Sequence, residues 1–199
     1  MIHHLNKEAF SHLESVVSSE RFLKKEGLGN EVPFFIYPYD PKETLNLYQN
    51  LKQFKKKLSN SGTEILDINL FDLSIEILKK RGIWGEIIQT EQSVSKDELK
   101  ELLQGVLDSE QHLIPAISEK MESTPFHVLF ITGIGEVFPY IRSHNVLNNL
   151  QRAAKDKPTV MFFPGSYTHS LETGASLKLF NLLEDDKYYR AFNILDYKV

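Results

Sequence analysis

The chain has 199 residues, 41% hydrophobic and 25% charged, with a formal net charge of −4 and no cysteine. That length suits one domain, large enough to bury about 70% of its unfolded-chain surface in a core of its own. The composition excludes disulfide staples, thiolate metal sites and cysteine nucleophiles, and the acidic balance argues against a broad phosphate-binding surface.

In chain order, Leu5–Lys24 reads as a helix, because Leu5, Ala9, Leu13, Val16 and Val17 recur at spacings of three and four. Gly27–Asn30 breaks it. Val32–Tyr37 is a short apolar and aromatic run suited to a buried strand, closed by Pro38 and Pro41. Lys42–Leu58 is a helix with Leu47, Leu51, Phe54 and Leu58 on its inner stripe, stopped at Ser59–Gly62. Ile65–Leu70 is a second strand, and Asp72–Lys80 a helix ending at Gly82, with Lys79, Lys80 and Arg81 at its carboxyl end, where positive charge suits the dipole. Trp84–Thr90 is another helical piece. Ser95–Glu98 matches a capping box ahead of Leu99, Leu102 and Leu103. Asp108–Met121 is a further helix that Pro115 bends or delimits. Phe126–Thr132 is the third strand and Pro139–Lys155 a helix with proline near its first turn. Thr159–Phe163 is the fourth strand, Leu177–Leu183 a short helix and Tyr189–Leu195 a terminal strand.

Strands alternating with helices predict a three-layer α/β domain, Rossmann-like or degenerate P-loop-like, with a mostly parallel sheet of about five strands. One domain over 1–199 is expected, with a possible helical insertion at 83–122. The longest apolar runs are far short of the ~20 residues that span a bilayer, and the amino-terminal stretch lacks a signal-peptide pattern. A cytoplasmic location is expected.

Strand, glycine turn and helix meet at Val128–Arg152, where open α/β folds build their sites. Thr132, Gly133, Gly135 and Glu136 are therefore a candidate ligand turn. The charges for phosphate are missing: no GxxxxGK[ST] occurs, an acid follows the glycines, and YPYDP (Tyr37–Pro41) stands where an ATPase would place its loop. Two prolines there remove amide donors, and Asp40 would repel phosphate. The seven histidines make no compact ligand spacing, and Asp185 and Asp186 read as a solvated turn. Ser166, His169 and Asp185 are hydrolase residue types, but PGSY is not a GxSxG elbow. No catalytic residue, metal or cofactor is called for.

The helix after Pro139 carries Ser143, Val146, Leu147, Leu150, Ala153 and Ala154 on an inner stripe, and Arg142, Asn145, Asn149 and Arg152 on the opposite one, with Asn148 beside it. Asparagine is a poor helix former, so its repetition suggests specific hydrogen bonding, either to neighbouring loops or to a partner. These four, with Tyr37, Tyr39 and Trp84, are the candidate partner-binding residues, tyrosines suiting interfaces by their apolar rings and polar tips. Phe34, Phe35 and Phe192 are expected in the core, and Tyr188 and Tyr189 complete a second aromatic cluster. Lys52, Lys55, Lys56 and Lys57 are a candidate nucleic-acid patch, although the wet face of a helix is the reading they favour.

GIGEVFPYIRSHNVLNNLQ, from Gly133, resembles the signature of the BrxB family, a small component of bacterial BREX phage-defence systems. GLGNEVPFFIYPYDP (Gly27–Pro41), INLFDLSIEILKKRGIW (Ile68–Trp84), PTVMFFPGSYT (Pro158–Thr168) and DDKYYRAFNIL (Asp185–Leu195) agree with it. The resemblance implies a role in defence and partnership with other BREX proteins, first among them the large phosphatase-like PglZ, and it carries no established catalytic residues. A non-catalytic adaptor is the leading expectation. The alternatives are a divergent nucleotide-binding or hydrolysing domain and a nucleic-acid-binding module.

Overall fold

The computed structural model describes residues 7–26, 33–170, 174–184 and 191–199. Its helices are α1 (Lys7–Val17), α2 (Glu20–Leu23), α3 (Thr44–Asn60), α4 (Leu70–Lys80), α5 (Trp84–Glu91), α6 (Lys96–Val106), α7 (Ile114–Ser123) and α8 (Ser143–Ala153). Its strands are β1 (Phe34–Tyr39), β2 (Ile65–Asn69), β3 (Val128–Thr132), β4 (Thr159–Ser170), β5 (Gly174–Leu179), β6 (Leu183–Glu184) and β7 (Phe192–Asn193).

The sheet runs β2-β3-β4-β1-β7, and these neighbours are all parallel. It is the α/β, mostly parallel, Rossmann-like architecture expected. The order differs from the dinucleotide-binding 3-2-1-4-5-6 arrangement, because β4 lies between β1 and β3. Beyond the parallel region β4 continues as one arm of an antiparallel hairpin with β5, and β6 adds to β5.

Two-residue alternation divides the central strands between two cores. Phe35, Tyr37, Tyr39, Val128, Phe130, Val160 and Phe162 face α1 and α3, where Leu13, Val16, Leu47, Leu51, Phe54 and Leu58 meet them. Phe34, Ile36, Leu129, Ile131, Met161 and Phe163 face the other layer, built from α4 to α8, which includes Ile87, Leu107, Leu113 and Ile117 from the 83–122 stretch. With both faces covered, the strands read as continuous apolar runs.

Local chemistry sets most boundaries. The Ser95 capping box is complete: its hydroxyl oxygen accepts from the Glu98 amide at 3.3 Å, and the Ser95 amide donates to the Glu98 carboxylate at 2.8 Å. Asn69 ends β2 and starts α4, its side-chain oxygen accepting from the amides of Phe71 (2.8 Å) and Asp72 (3.1 Å).

Several expectations are corrected. The first helix divides at Ser18–Ser19, because the Ser19 hydroxyl caps a new turn at the Phe22 amide. β1 runs through Pro38: β7 pairs only Phe35 and Ile36, so beyond Ile36 one side of β1 is an edge among the described residues, where proline is tolerated. The helix expected at 177–183 is instead strand β5. Leu177 and Leu179 are buried while Ser176 and Lys178 lie less deep, a period of two. Among the described residues the terminal strand covers Phe192–Asn193, before a 3₁₀ turn at Ile194–Asp196. Phe192 is 39% exposed and not core, and Ala153 lies on the exposed side of α8. Residues 108–113 form a π-helical turn, Ser109–Leu113, capped by Asp108. α8 begins at Ser143, four residues after Pro139. Leu5, Gly27–Asn30, Val32, Asp185, Asp186, Tyr188 and Tyr189 lie outside the described residues.

Candidate functional site

The carboxyl ends of β2 and β3 are closed by the chain's own side chains. Thr132 is 2% exposed, and its hydroxyl donates to an Asp67 oxygen at 3.2 Å, while Lys55 from α3 is ion-paired with the other oxygen of that carboxylate. Gly133 has φ +80°, and a Cβ there would lie 2.6 Å from the Asn69 Oδ1 that caps α4. A Cβ on Gly135 would lie 2.9 Å from the ring of Phe180 and 3.0 Å from Pro164, both from the hairpin side. Glu136 is exposed, but its carboxylate accepts a hydrogen bond from the Tyr48 hydroxyl of α3, and that hydroxyl in turn accepts from Asn69 Nδ2 at 3.3 Å. The turn is thus bolted to α3 and α4.

Its electrostatics oppose phosphate. Glu136 pushes up the Tyr48 hydroxyl, after burial and together with the hydrogen bond between them, and adds to burial in raising Tyr39 and Tyr140. Only Asp40–Glu43 separates β1 from α3, and the Asp40 carboxylate caps the Lys42 amide at 3.0 Å. That leaves no loop of P-loop length.

Tyr37 and Tyr39 are 1% and 3% exposed, which corrects their place among the candidate partner-binding residues. A central parallel strand buries both faces, and the Tyr37 ring packs 5.2 Å from that of Phe162. Burial raises the Tyr39 hydroxyl to about 12, with a bond to Thr44 opposing and the Glu136 charge adding. Below pH 10 this tyrosine is neutral folded and unfolded. From pH 10 to about 12 only the unfolded chain ionises, so stability falls as pH rises. Tyr39→Phe is expected to reduce that fall by up to about 1.4 kcal/mol per pH unit, read by urea unfolding at a series of alkaline pH values; equal slopes in the two proteins would refute it.

α8 keeps an outward face. Ser143, Val146, Leu147 and Leu150 are buried, while Arg142, Asn145, Asn148 and Arg152 are exposed and Asn149 is half-buried. Arg142, Asn145 and Asn149 share a cleft of about 290 Å³ with Gln104, Leu107, Asp108, Ser109, Glu110 and Tyr140. The expectation that these amides tie the helix to neighbouring loops is not met at Asn145 or Asn149, since neither side chain bonds to any described residue. Arg152 and Trp84 do not line the cleft. Trp84 is half-buried at the start of α5, with Lys79 Nζ 5.9 Å from its ring centre. The far wall, from Gln104 to Glu110, was missed in sequence; the only local signal is Asp108 ahead of Ser-Glu-Gln, a capping pattern.

The lysine patch is partly consumed, Lys55 by Asp67 and Lys57 by Glu14 at 2.8 Å. Ser166 lies on β4 opposite Lys178 of β5. Among the described residues, no group of three or more His, Asp or Glu could hold a metal ion, and no helix is long and apolar enough to cross a membrane.

A family model described as "BREX protein BrxB" matches residues 66–194. The chain is 35% identical over 184 residues to a Bacillus cereus (strain H3081.97) protein named "BREX protein BrxB", covering 90% of this chain and 92% of that one. It is 29% identical over 185 residues to a protein of the same name from Escherichia coli O9:H4 (strain HS), covering 93% and 89%. No solved structure matches the chain.

Proposed function

The chain belongs to the BrxB family of BREX proteins, and from that premise we propose that it is a non-catalytic docking component of a cytoplasmic BREX phage-defence assembly, contacting PglZ through the outer face of α8. One observation carries this reading: that face presents two amide side chains, Asn145 and Asn149, that bond to no described residue and line a cleft together with Arg142, whereas the Thr132–Glu136 turn is packed by the chain's own side chains. Arginine beside a concave surface is the kind of residue on which interface energy concentrates. The turn at Thr132–Glu136 keeps the position of a ligand site in a P-loop-like domain and lacks its charges, which makes it a structural joint.

The test is co-purification. The tagged chain, expressed with the other proteins of its BREX system, is expected to bring PglZ through washing at moderate salt, and ATP with magnesium is expected to leave the melting temperature of the isolated chain unchanged. An eluate free of every BREX protein, or a clear nucleotide-induced stabilisation, would contradict the proposal.

A further inference from the structure

The cleft beside α8 has a lining that specifies what can enter it. Asn145 and Asn149 stand one helical turn apart, both line the cleft, and both amides are without a bond to any described residue. Each carries donors and an acceptor side by side, the complement of a peptide unit. Four residues of α-helix rise about 6 Å. Alternate residues of an extended chain, whose N–H and C=O point the same way, recur every ~6.6 Å. The two repeats agree within about an ångström, so successive asparagines can each bond alternate residues of one extended segment.

The rest of the lining narrows the choice. Leu107, 1% exposed, gives an apolar floor, and Tyr140 is half-buried beside it. Arg142 faces a lining that also holds Asp108 and Glu110, so the cleft is not the cationic groove that a nucleic-acid strand requires. Its volume of about 290 Å³ admits a short stretch of chain, not a folded module. A second observation marks the same place. Ser109 and Glu110 belong to the π-helical turn, and π-helical turns are rare and concentrate at functional sites.

We propose that this cleft binds an extended peptide segment of a partner protein by its main chain, with Asn145 and Asn149 pairing to alternate residues. This rests on the docking role proposed above and names the chemistry of the contact.

Short overlapping peptides covering the other BREX proteins of the same system, arrayed and probed with the full chain, provide the test, followed by titration of the tightest binder. One contiguous stretch is expected to bind. Asn145→Ala with Asn149→Ala, both compatible with a helix, should weaken it about tenfold or more, and N-methylation of two alternate backbone amides should do the same while methylation of the intervening ones does not. Binding of the intact partner but of no peptide would overturn the proposal and leave the docking role standing, as would peptide binding indifferent to both asparagines. Failure of intact partner and peptides alike would remove the docking role and this proposal with it.

Discussion

Gly165→Ala is expected to cost at least about 3 kcal/mol, a large loss for adding one methyl group. Gly165 sits where β4 leaves the parallel sheet and pairs with Leu179 of β5. Its φ is +151°, and an added Cβ would stand 2.1 Å from the Lys178 carbonyl oxygen. Main chain cannot step aside as a flexible side-chain tip can, so either the glycine conformation is lost or the hairpin unzips. The consequence reaches the strand tips, because the Phe180 amide donates to the Pro164 carbonyl at 2.8 Å and the Phe180 ring packs on Gly135. For a chain of this size the melting temperature should fall by roughly 6–12 °C. Gly85→Ala is the control. It lies within α5 with open space around it, and alanine there should stabilise the fold by about 0.5–1 kcal/mol. Equal melting temperatures for the Gly165 variant and the parent would show that the close approach is not real.

How much of this was legible in the sequence depends on whether the deciding contact is local. The α3 stripe of Leu47, Leu51, Phe54 and Leu58, the capping box at Ser95 and the apolar run of β3 were all readable, since spacing and neighbouring residues fix them. The helix expected at Leu177–Leu183 gave way to strand at Leu177–Leu179 because so short a segment satisfies either period, and only pairing with the far end of β4 decides for strand. Tyr37 and Tyr39 looked like surface tyrosines because nothing local says that α1 and α3 cover that face of β1. The glycine turn at 133–135 was legible as a turn. That it is shut by Tyr48, Asn69 and Phe180 was not, since those side chains arrive from 45 to 90 positions away. The asparagines of α8 stood out because they contradict helix propensity.

The double variant Arg142→Ala with Asn145→Ala tests the proposed docking face of α8 most sharply. Both positions are exposed, alanine is the better helix former at Asn145, and losing an exposed arginine's contacts costs up to about 1 kcal/mol, so the fold should be retained. Truncating an interface arginine together with an amide that has no internal partner should cost roughly 2–3 kcal/mol of association, about 30- to 150-fold in affinity. The decisive measurement is calorimetric titration of the parent chain and of this variant with purified PglZ. A clear binding isotherm is expected for the parent and a loss of that size for the variant, at a melting temperature within about 4 °C of the parent's. Identical affinities for the two proteins, or no binding by the parent, would contradict the docking role.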